Sequence, residues 1–261
     1  TYTYNMNDQL ISESRQRGIE TPQITAYTYD AVGNMGEKSG AANAEQTFDV
    51  LNRMTGYTEG STTAAYEYQS DNMRSSKTVN GATTEQVWVN GQIVMDKCGD
   101  TVVKYTYGSK LVESDYGWYS YDAHGNVTML TDDTGAVIKR YDYDPYGVEL
   151  GAEDSTDENP FRYSGQYTDR ETGYVYLRAR YYDPALGRFL SMDLMMDGAN
   201  WYIYCAGNPV MFTDPSGFST MSGSFGSSVE YMQWMSNHRD EFYNLTSYEE
   251  SKNTQSVSQK G

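Results

Sequence analysis

The chain has 261 residues and a formal net charge of −17, with 36 acidic and 19 basic side chains. Such a charge repels phosphate backbones and anionic lipids, so it argues against binding to nucleic acid or to a membrane surface. The low mean hydropathy argues against a membrane-spanning protein. The 26 tyrosines, set against 7 phenylalanines, favour β-sheet, because tyrosine can stack its ring while its hydroxyl stays hydrated.

Aromatic residues recur along the chain at an interval of about 20 residues, which is typical of repeats whose units cannot bury themselves alone. One step, from Tyr107 to Tyr121, is shorter than the others. The recurring positions are Tyr29, Phe48, Tyr68, Trp88, Tyr107, Tyr121, Tyr143, Tyr163 and Tyr182.

The repeat is clearest in residues 29–34 (YDAVGN) and residues 121–126 (YDAHGN). In both, an aromatic residue is followed by Asp, two variable residues and Gly. The Asp side chain can accept hydrogen bonds from the backbone ahead of it and Gly can supply a positive φ, so the chain reverses into the next strand. Alternating segments between these turns, such as residues 102–107, predict strands. The sequence therefore predicts an all-β fold, a long antiparallel meander.

Two other features carry less information. Cys98 and Cys205 lack the paired spacing of a zinc site and are too few for a disulfide scaffold, so both are expected to be free, buried thiols. The acidic residues 151–160 favour a solvated loop over a calcium loop, because their carboxylate spacing fits no calcium-ligand pattern well.

Residues 170–218 contain a dense run of tyrosines, the segment LRARYYDP, the segment RFLSMD and the turn Asp214-Pro215-Ser216-Gly217. In order and spacing, this region resembles the core of the Rhs and YD-repeat proteins. That family includes polymorphic-toxin carriers, C subunits of insecticidal toxin complexes and, more distantly, the teneurin shell. The weaker upstream repeats extend the resemblance over most of residues 1–218.

The resemblance implies that the sheet coils into a β-shell, of which this chain would form part, and divides the chain into three regions. Residues 1–160 would be YD repeats, residues 161–218 the core region, and residues 219–261 a variable C-terminal tail in the place of a cargo or toxin. The tail holds a Ser/Gly-rich stretch at residues 219–228, an apolar periodicity over residues 229–245 that predicts a short helix, and a polar end that is typical of disorder.

In many members of this family the core region is an aspartyl autoprotease. Matched to this sequence, its acids would be Asp193 and Asp214 and its required arginine Arg180. Pro215 and Gly217 complete the turn motif, and the scissile bond would join Phe218 to Ser219. The sequence departs from the family pattern at Leu194, where proline is usual.

The chemistry of paired acids supports this hypothesis without the resemblance. Two carboxyl groups held close together cannot both ionise easily, so one keeps its proton while the other can draw a proton from an attacking water. A nearby arginine would tune the pair or bind the developing oxyanion, and a tethered substrate has a high effective concentration. A structural role stays open for each residue alone: Asp214 in a tight turn, Asp193 as a turn cap, and Arg180 stacked on tyrosines.

The leading hypothesis is therefore the shell and core part of a secreted or cell-surface bacterial protein that encloses a C-terminal segment and frees it by self-cleavage. One alternative is a non-enzymatic YD-repeat surface protein that contacts glycans or target cells. A more distant alternative is a glycan-active enzyme that uses the same two acids. The expected partners are the chain's own C-terminal segment and further upstream repeats. No cofactor or metal is expected, and an export signal is expected upstream of residue 1.

Overall fold

The computed structural model describes residues 1–151, 154, 156–194 and 199–218, and the backbone of residues 221 and 222. Fifteen strands form one antiparallel sheet in which each strand pairs with its neighbours in sequence, from the first to the fifteenth. The sheet is open. The all-β fold and the antiparallel meander predicted from the sequence are confirmed.

The strands of the large sheet are β1 (Tyr2–Tyr4), β2 (Leu10–Arg15), β3 (Gln23–Tyr29), β4 (Met35–Gly40), β5 (Ala44–Phe48), β6 (Met54–Glu59), β7 (Thr62–Tyr68), β8 (Arg74–Val79), β9 (Ala82–Val89), β10 (Gln92–Cys98), β11 (Thr101–Tyr107), β12 (Leu111–Ser114), β13 (Gly117–Tyr121), β14 (Val127–Thr131) and β15 (Val137–Arg140). Shorter strands follow: β16 (Asp142–Tyr143), β17 (Glu149–Leu150), β18 (Tyr167–Asp169), β19 (Tyr174–Tyr176), β20 (Tyr181–Asp183), β21 (Arg188–Phe189), β22 (Phe212–Thr213) and β23 (Met221–Ser222).

The Tyr-Asp turn owes its shape to its own aspartate. Asp30 accepts hydrogen bonds through Oδ1 from the backbone N–H groups of Val32 and Asn34, at 3.0 and 2.8 Å. Gly33 has a φ of +87°, a backbone conformation that would be strained for a residue with a side chain. The same carboxylate contacts to the second and fourth residues ahead recur at Asp122 and Asp144. The turn is therefore encoded locally and repeated.

We expect Asp30→Ala to lower the free energy of unfolding by about 1–3 kcal/mol, because two backbone donors lose a charged acceptor. Asp30→Asn keeps an oxygen acceptor for the same N–H groups and should lose less. Urea denaturation of the two variants beside the wild type measures the difference. Equal losses in the two variants would show that the turn does not depend on the carboxylate's hydrogen bonds.

Tight turns close the opposite ends of most strands. Asn80-Gly81 and Asn90-Gly91 both have two consecutive positive φ angles, as two-residue hairpin turns require. Over β4 to β9, such short connections alternate with the longer turns of the Tyr-Asp kind. The short step in the aromatic spacing corresponds to β12 and β13, which have four and five residues.

The recurring aromatic side chains of the large sheet pack against its buried clusters on the inner face, and some of them are anchored there by their polar atoms. Tyr68 donates from its hydroxyl to the carbonyl of Met54 at 2.6 Å, and Trp88 donates from Nε1 to the carbonyl of Arg74 at 2.6 Å. Each acceptor begins the neighbouring strand. A ring held in this way covers the adjacent strand, so neighbouring strands share one apolar layer.

The core region packs against this inner face. Strands β18 to β21 form a separate four-stranded antiparallel sheet. Its residues Tyr174, Tyr176 and Tyr181 share one buried cluster with Leu10 and Met35 of the large sheet. The core region therefore covers part of this inner face.

A buried ion pair joins the two layers. Arg74 of β8 and Asp169 of β18 are both fully buried, and Nη1 of the arginine lies 2.5 Å from Oδ2 of the aspartate. Lys77 lies 3.0 Å from the other carboxylate oxygen. Three tyrosine rings stack over the Arg74 guanidinium, those of Tyr66, Tyr167 and Tyr176. Both charges are thus compensated inside the core.

Several expectations are corrected or fall outside the described residues. Both cysteines are free, but only Cys205 is buried; Cys98 is exposed because it ends β10 beside a surface hairpin. The acidic segment is not wholly solvated, since Asn159 is fully buried and bonds to Tyr119 and Tyr141.

The predicted tail helix and disordered end lie outside the described residues. In the described part of the chain, no helix is long and apolar enough to cross a membrane.

Candidate functional site

Three segments of the core region bring together the acids and the arginine singled out in the sequence. Arg180 directly precedes β20, Asp193 follows β21, and Asp214 follows β22. All three side chains are buried, with 6%, 6% and 3% of their residue surface exposed. The site is therefore enclosed rather than set in an open cleft.

Arg180 lies between the two carboxylates. Its Nη2 is 3.5 Å from Oδ2 of Asp193 and 3.7 Å from Oδ2 of Asp214. The two carboxylate oxygens can therefore be no farther apart than the sum of these distances. The guanidinium stacks on the ring of Phe189, with 3.6 Å from Cζ to the ring centroid, and not on a tyrosine. This packing fixes the plane of the arginine.

Asp214 begins a turn that folds back on its own carboxylate. Its Oδ1 accepts from the backbone N–H groups of Ser216 and Gly217, at 3.2 and 2.8 Å. The carbonyl of Gly217 accepts a hydrogen bond from Nε of Arg180. Hydrogen bonds thus hold the turn at its first residue, Asp214, and at its last residue, Gly217. Hydrogen bonds of this kind also occur in tight turns that have only a structural role, so a catalytic role of Asp214 must be argued from its contact with Arg180.

Gly217 is the one position of this turn where only glycine fits. Its φ is +77°, and an added Cβ would lie 2.9 Å from the backbone nitrogen of Arg180 and 2.9 Å from the carbonyl oxygen of Leu177. Both clashing atoms belong to backbone and cannot swing away. The glycine therefore lets the turn approach the segment that carries Arg180.

The electrostatics of the site follow from burial. Loss of solvent raises the pKa of Asp214 above its ordinary value, although Arg180 and the turn's hydrogen bonds act against this rise. Burial also lowers the pKa of Arg180, although both neighbouring carboxylates favour its charged form. One buried cation thus faces two buried acids, and its charge favours the ionised form of both.

After the turn, the chain pairs with the strand that precedes the turn. Residues Phe212–Thr213 pair antiparallel with Met221–Ser222, with Thr213 opposite Met221. The Phe218–Ser219 bond therefore lies within the connection of a hairpin whose first strand leads directly into Asp214. Phe218 is half-buried, and its partner in the bond, Ser219, lies outside the described residues.

A cavity of about 470 Å³ borders the turn, and Thr213, Pro215 and Arg178 contribute to its walls. Its lining mixes aromatic and polar side chains. Solvent can therefore come close to the residues that flank Asp214.

Two residues that position the site were not identified from the sequence. The carbonyl of Trp201 accepts from Nη1 of Arg180 at 3.1 Å and from the backbone N–H of Asp193 at 3.0 Å, so it links the arginine to one acid. A backbone carbonyl leaves no mark in a sequence. Phe189 stands in the RFLSMD segment, but its stacking on Arg180 depends on the fold of the core region.

Comparison with known proteins connects this geometry to a family. The family model described as the teneurin YD-shell matches residues 111–204. A tRNA(Glu)-specific nuclease, WapA, of Bacillus subtilis subsp. natto is 33% identical over 230 residues, which cover 81% of this chain and 9% of that protein. The toxin subunit YenC1 of Yersinia entomophaga is 34% identical over 108 residues, 39% of this chain and 11% of that protein. This chain thus spans only a small part of the length of these relatives.

Solved structures show the same fold. A crystal structure of TcdB2-TccC3 without its hypervariable C-terminal region matches with a TM-score of 0.55 and 21% identity, covering 84% of this chain and 15% of the other. The Photorhabdus luminescens Tc holotoxin pore matches with a TM-score of 0.55 and 19% identity over 88% of this chain and 16% of the other. These structures show that the fold is shared. The family-model match and the similarity to WapA, together with the fifteen-stranded sheet and its Tyr-Asp turns, show that the chain belongs to the Rhs/YD-repeat shell proteins.

Proposed function

We propose that this chain is the shell and core part of an exported toxin-like protein, and that it cuts its own backbone between Phe218 and Ser219 to free the C-terminal segment. The observation that carries the proposal is the contact of both acids, Asp193 and Asp214, with the single guanidinium of Arg180. Asp214 precedes Phe218, the residue before the bond to be cut, by four residues in the sequence.

In the proposed reaction, water attacks the carbonyl carbon of Phe218. The ionised carboxylate of the pair takes a proton from this water, while the protonated carboxyl donates a hydrogen bond to the carbonyl oxygen. Arg180 supplies positive charge close to the developing oxyanion. The bond to the nitrogen of Ser219 then breaks, the nitrogen takes up a proton, and the products are a carboxylate at Phe218 and an amine at Ser219.

The contacts of the turn that precedes this bond support the proposal. The turn of residues 214–217 is held by Asp214 itself and by Arg180, and the strands β22 and β23 pair on either side of the connection that contains the bond. Such a tethered peptide gives a high effective concentration, so a buried site without room for a free substrate is sufficient.

The names of the relatives agree with this role. WapA is named as a nuclease and YenC1 as a toxin subunit, and the TcdB2-TccC3 structure is described as lacking a hypervariable C-terminal region. We infer that the tail of this chain, residues 219–261, occupies the place of such a region. The shell would associate with this segment and with further parts of a toxin assembly.

Mass spectrometry of the denatured, purified chain tests the proposal. We expect two products, residues 1–218 and residues 219–261, and an N-terminal sequence beginning at Ser219 for the smaller one. A folded chain that stays in one piece would overturn self-cleavage. It would favour the alternative of an inert surface shell, to which the name of a relative, salivary gland surface protein 1 of Aedes aegypti, 43% identical over 96 residues, also points.

We expect Gly217→Ala to block the cleavage, because the added methyl would push the turn away from the backbone of Leu177 and Arg180. The matched control is Gly135→Ala. That glycine also has a positive φ, +82°, but an added Cβ there would have no atom within 4 Å. The control should lose about 1–2 kcal/mol of stability from backbone strain alone and should cleave normally. Normal cleavage in Gly217→Ala would show that the close approach is not needed.

A further inference from the structure

The hydroxyl of Ser216 lies between the Asp214 carboxylate and the peptide group that leads into the Phe218–Ser219 bond. Its Oγ is 3.3 Å from Oδ1 of Asp214, to which it donates, and it accepts a hydrogen bond from the backbone N–H of Phe218 at 3.2 Å. One hydroxyl therefore connects an acid of the candidate site to the residue whose carbonyl would be attacked.

The backbone of Ser216 is itself fixed. Its N–H donates to Oδ1 of Asp214 at 3.2 Å, and its carbonyl accepts from the N–H of Ala179 at 3.2 Å, in the segment that leads to Arg180. The hydroxyl thus starts from a defined position. The family motif Asp-Pro-x-Gly leaves this position variable, so the contact belongs to this chain and is not implied by the resemblance.

We infer that Ser216 is a positioning residue for the self-cleavage: through Asp214 it favours the ionised acid, and through the amide of Phe218 it orients the peptide to be cut. The inference rests on the proposed function. Three donors converge on Oδ1, the N–H groups of Ser216 and Gly217 and the Ser216 hydroxyl, so Oδ2 is the oxygen that faces Arg180. Hydrogen bonds to the charged form of an acid stabilise that form.

The groups that face Asp214 make the expected pH effect specific. Arg180 and, through it, Asp193 lie on the Oδ2 side. The thiol of Cys205 is also near: burial raises its pKa, and the charge of Asp214 adds to that rise. None of these contacts is made by the Ser216 hydroxyl. Loss of that hydroxyl therefore removes one donor from Asp214 and leaves the other charged groups in place.

The test compares the wild type, Ser216→Ala and Ser216→Thr by the rate of self-cleavage across a range of pH. Ser216→Ala should slow cleavage by about tenfold, the value of one hydrogen bond to a charged group. It should also move the acidic limb of the pH–rate profile to higher pH, because the carboxylate form of Asp214 has lost a hydrogen-bond donor. Ser216→Thr keeps the hydroxyl and should restore both the rate and the limb.

The outcomes separate this inference from the proposed function. If the wild type cleaves and Ser216→Ala cleaves at the same rate, the inference fails and the proposed function stands. If Ser216→Ala is slower by the same factor at every pH, with the limb unmoved, the hydroxyl only supports the turn and the inference also fails. If the wild type does not cleave, both fail. Urea denaturation of Ser216→Ala shows whether a rate loss reflects unfolding.

Discussion

Asp193→Asn and Asp214→Asn should each slow cleavage of the Phe218–Ser219 bond by about 10²- to 10⁴-fold, the usual range for the loss of a general acid or base. Asparagine has the shape of aspartate and keeps an oxygen that can accept from the N–H groups of Ser216 and Gly217, so the turn should survive. What is lost is the ability to hold and release a proton beside Arg180.

The double variant provides the sharper comparison. If the two acids work as one unit, Asp193→Asn combined with Asp214→Asn should be no slower than either single variant. Losses that multiply would show two independent contributions and would contradict a shared proton. Asp142→Asn removes an exposed carboxylate of β16 that makes no contact with Arg180 among those the structure describes, and it should cleave like the wild type.

A second control concerns the nucleophile. Ser219→Ala should still cleave, because water and not the Ser219 hydroxyl attacks the carbonyl in the proposed reaction. Loss of cleavage in this variant would instead indicate transfer of the Phe218 acyl group to that hydroxyl. The rates of all these variants can be followed from the intact mass during cell-free synthesis.

Arg74→Met should lower the free energy of unfolding by about 3–5 kcal/mol, the cost of leaving one partner of a buried ion pair without the other. Asp169 is fully buried and, among the described residues, would keep only Lys77 as a cationic partner. The change would also remove a hydrogen bond from Nε of Arg74 to Gln86 at 2.8 Å. Urea denaturation followed by tryptophan fluorescence measures the loss.

Arg53→Met is the matched control. Arg53 pairs with Asp49 at 2.6 Å, but the two side chains are 18% and 23% exposed, against 0% for both in the pair of Arg74 and Asp169. The same substitution at this partly exposed pair should cost clearly less than at Arg74, because water can reach the carboxylate that is left without its partner. Similar losses at the two sites would contradict the view that the buried pair holds the core region to the sheet.

The buried pair should also make stability sensitive to acid. Burial alone would raise the pKa of Asp169, but Arg74 and then Lys77 outweigh it and hold this pKa below its ordinary value. Because the folded pKa is lowered, the stabilisation is complete above the ordinary carboxyl pKa of about 4 and is lost as the pH falls through the folded value. Arg74→Met should remove much of this dependence.

The sequence predicts the parts of this protein that are encoded within a few residues. The turn at Asp30 needs only Gly33 and the N–H groups of Val32 and Asn34, all within the hexapeptide of residues 29–34, so its role can be inferred from the residue types. The all-β meander follows from repeating such turns. The exposed position of Cys98 was not predicted, because apolar character alone does not reveal that a strand ends at a surface hairpin.

Contacts between distant segments could not be predicted in the same way. Arg74 and Asp169 are 95 residues apart, and nothing in either local sequence marks them as partners. Arg180, Asp193 and Asp214 were brought together in the sequence only by the family resemblance, since residue spacing does not tell which loops of a core region meet. The carbonyl of Trp201, which bonds to Arg180 and to the backbone of Asp193, needs the folded chain to be seen.

The most direct test of paired-acid hydrolysis is synthesis of the wild-type chain in water enriched in heavy oxygen, followed by mass analysis of the fragment that ends at Phe218. We expect a fragment of residues 1–218 whose new carboxylate carries one oxygen atom from the solvent. An uncut folded chain, or a fragment ending at Phe218 without the heavy oxygen, would contradict it.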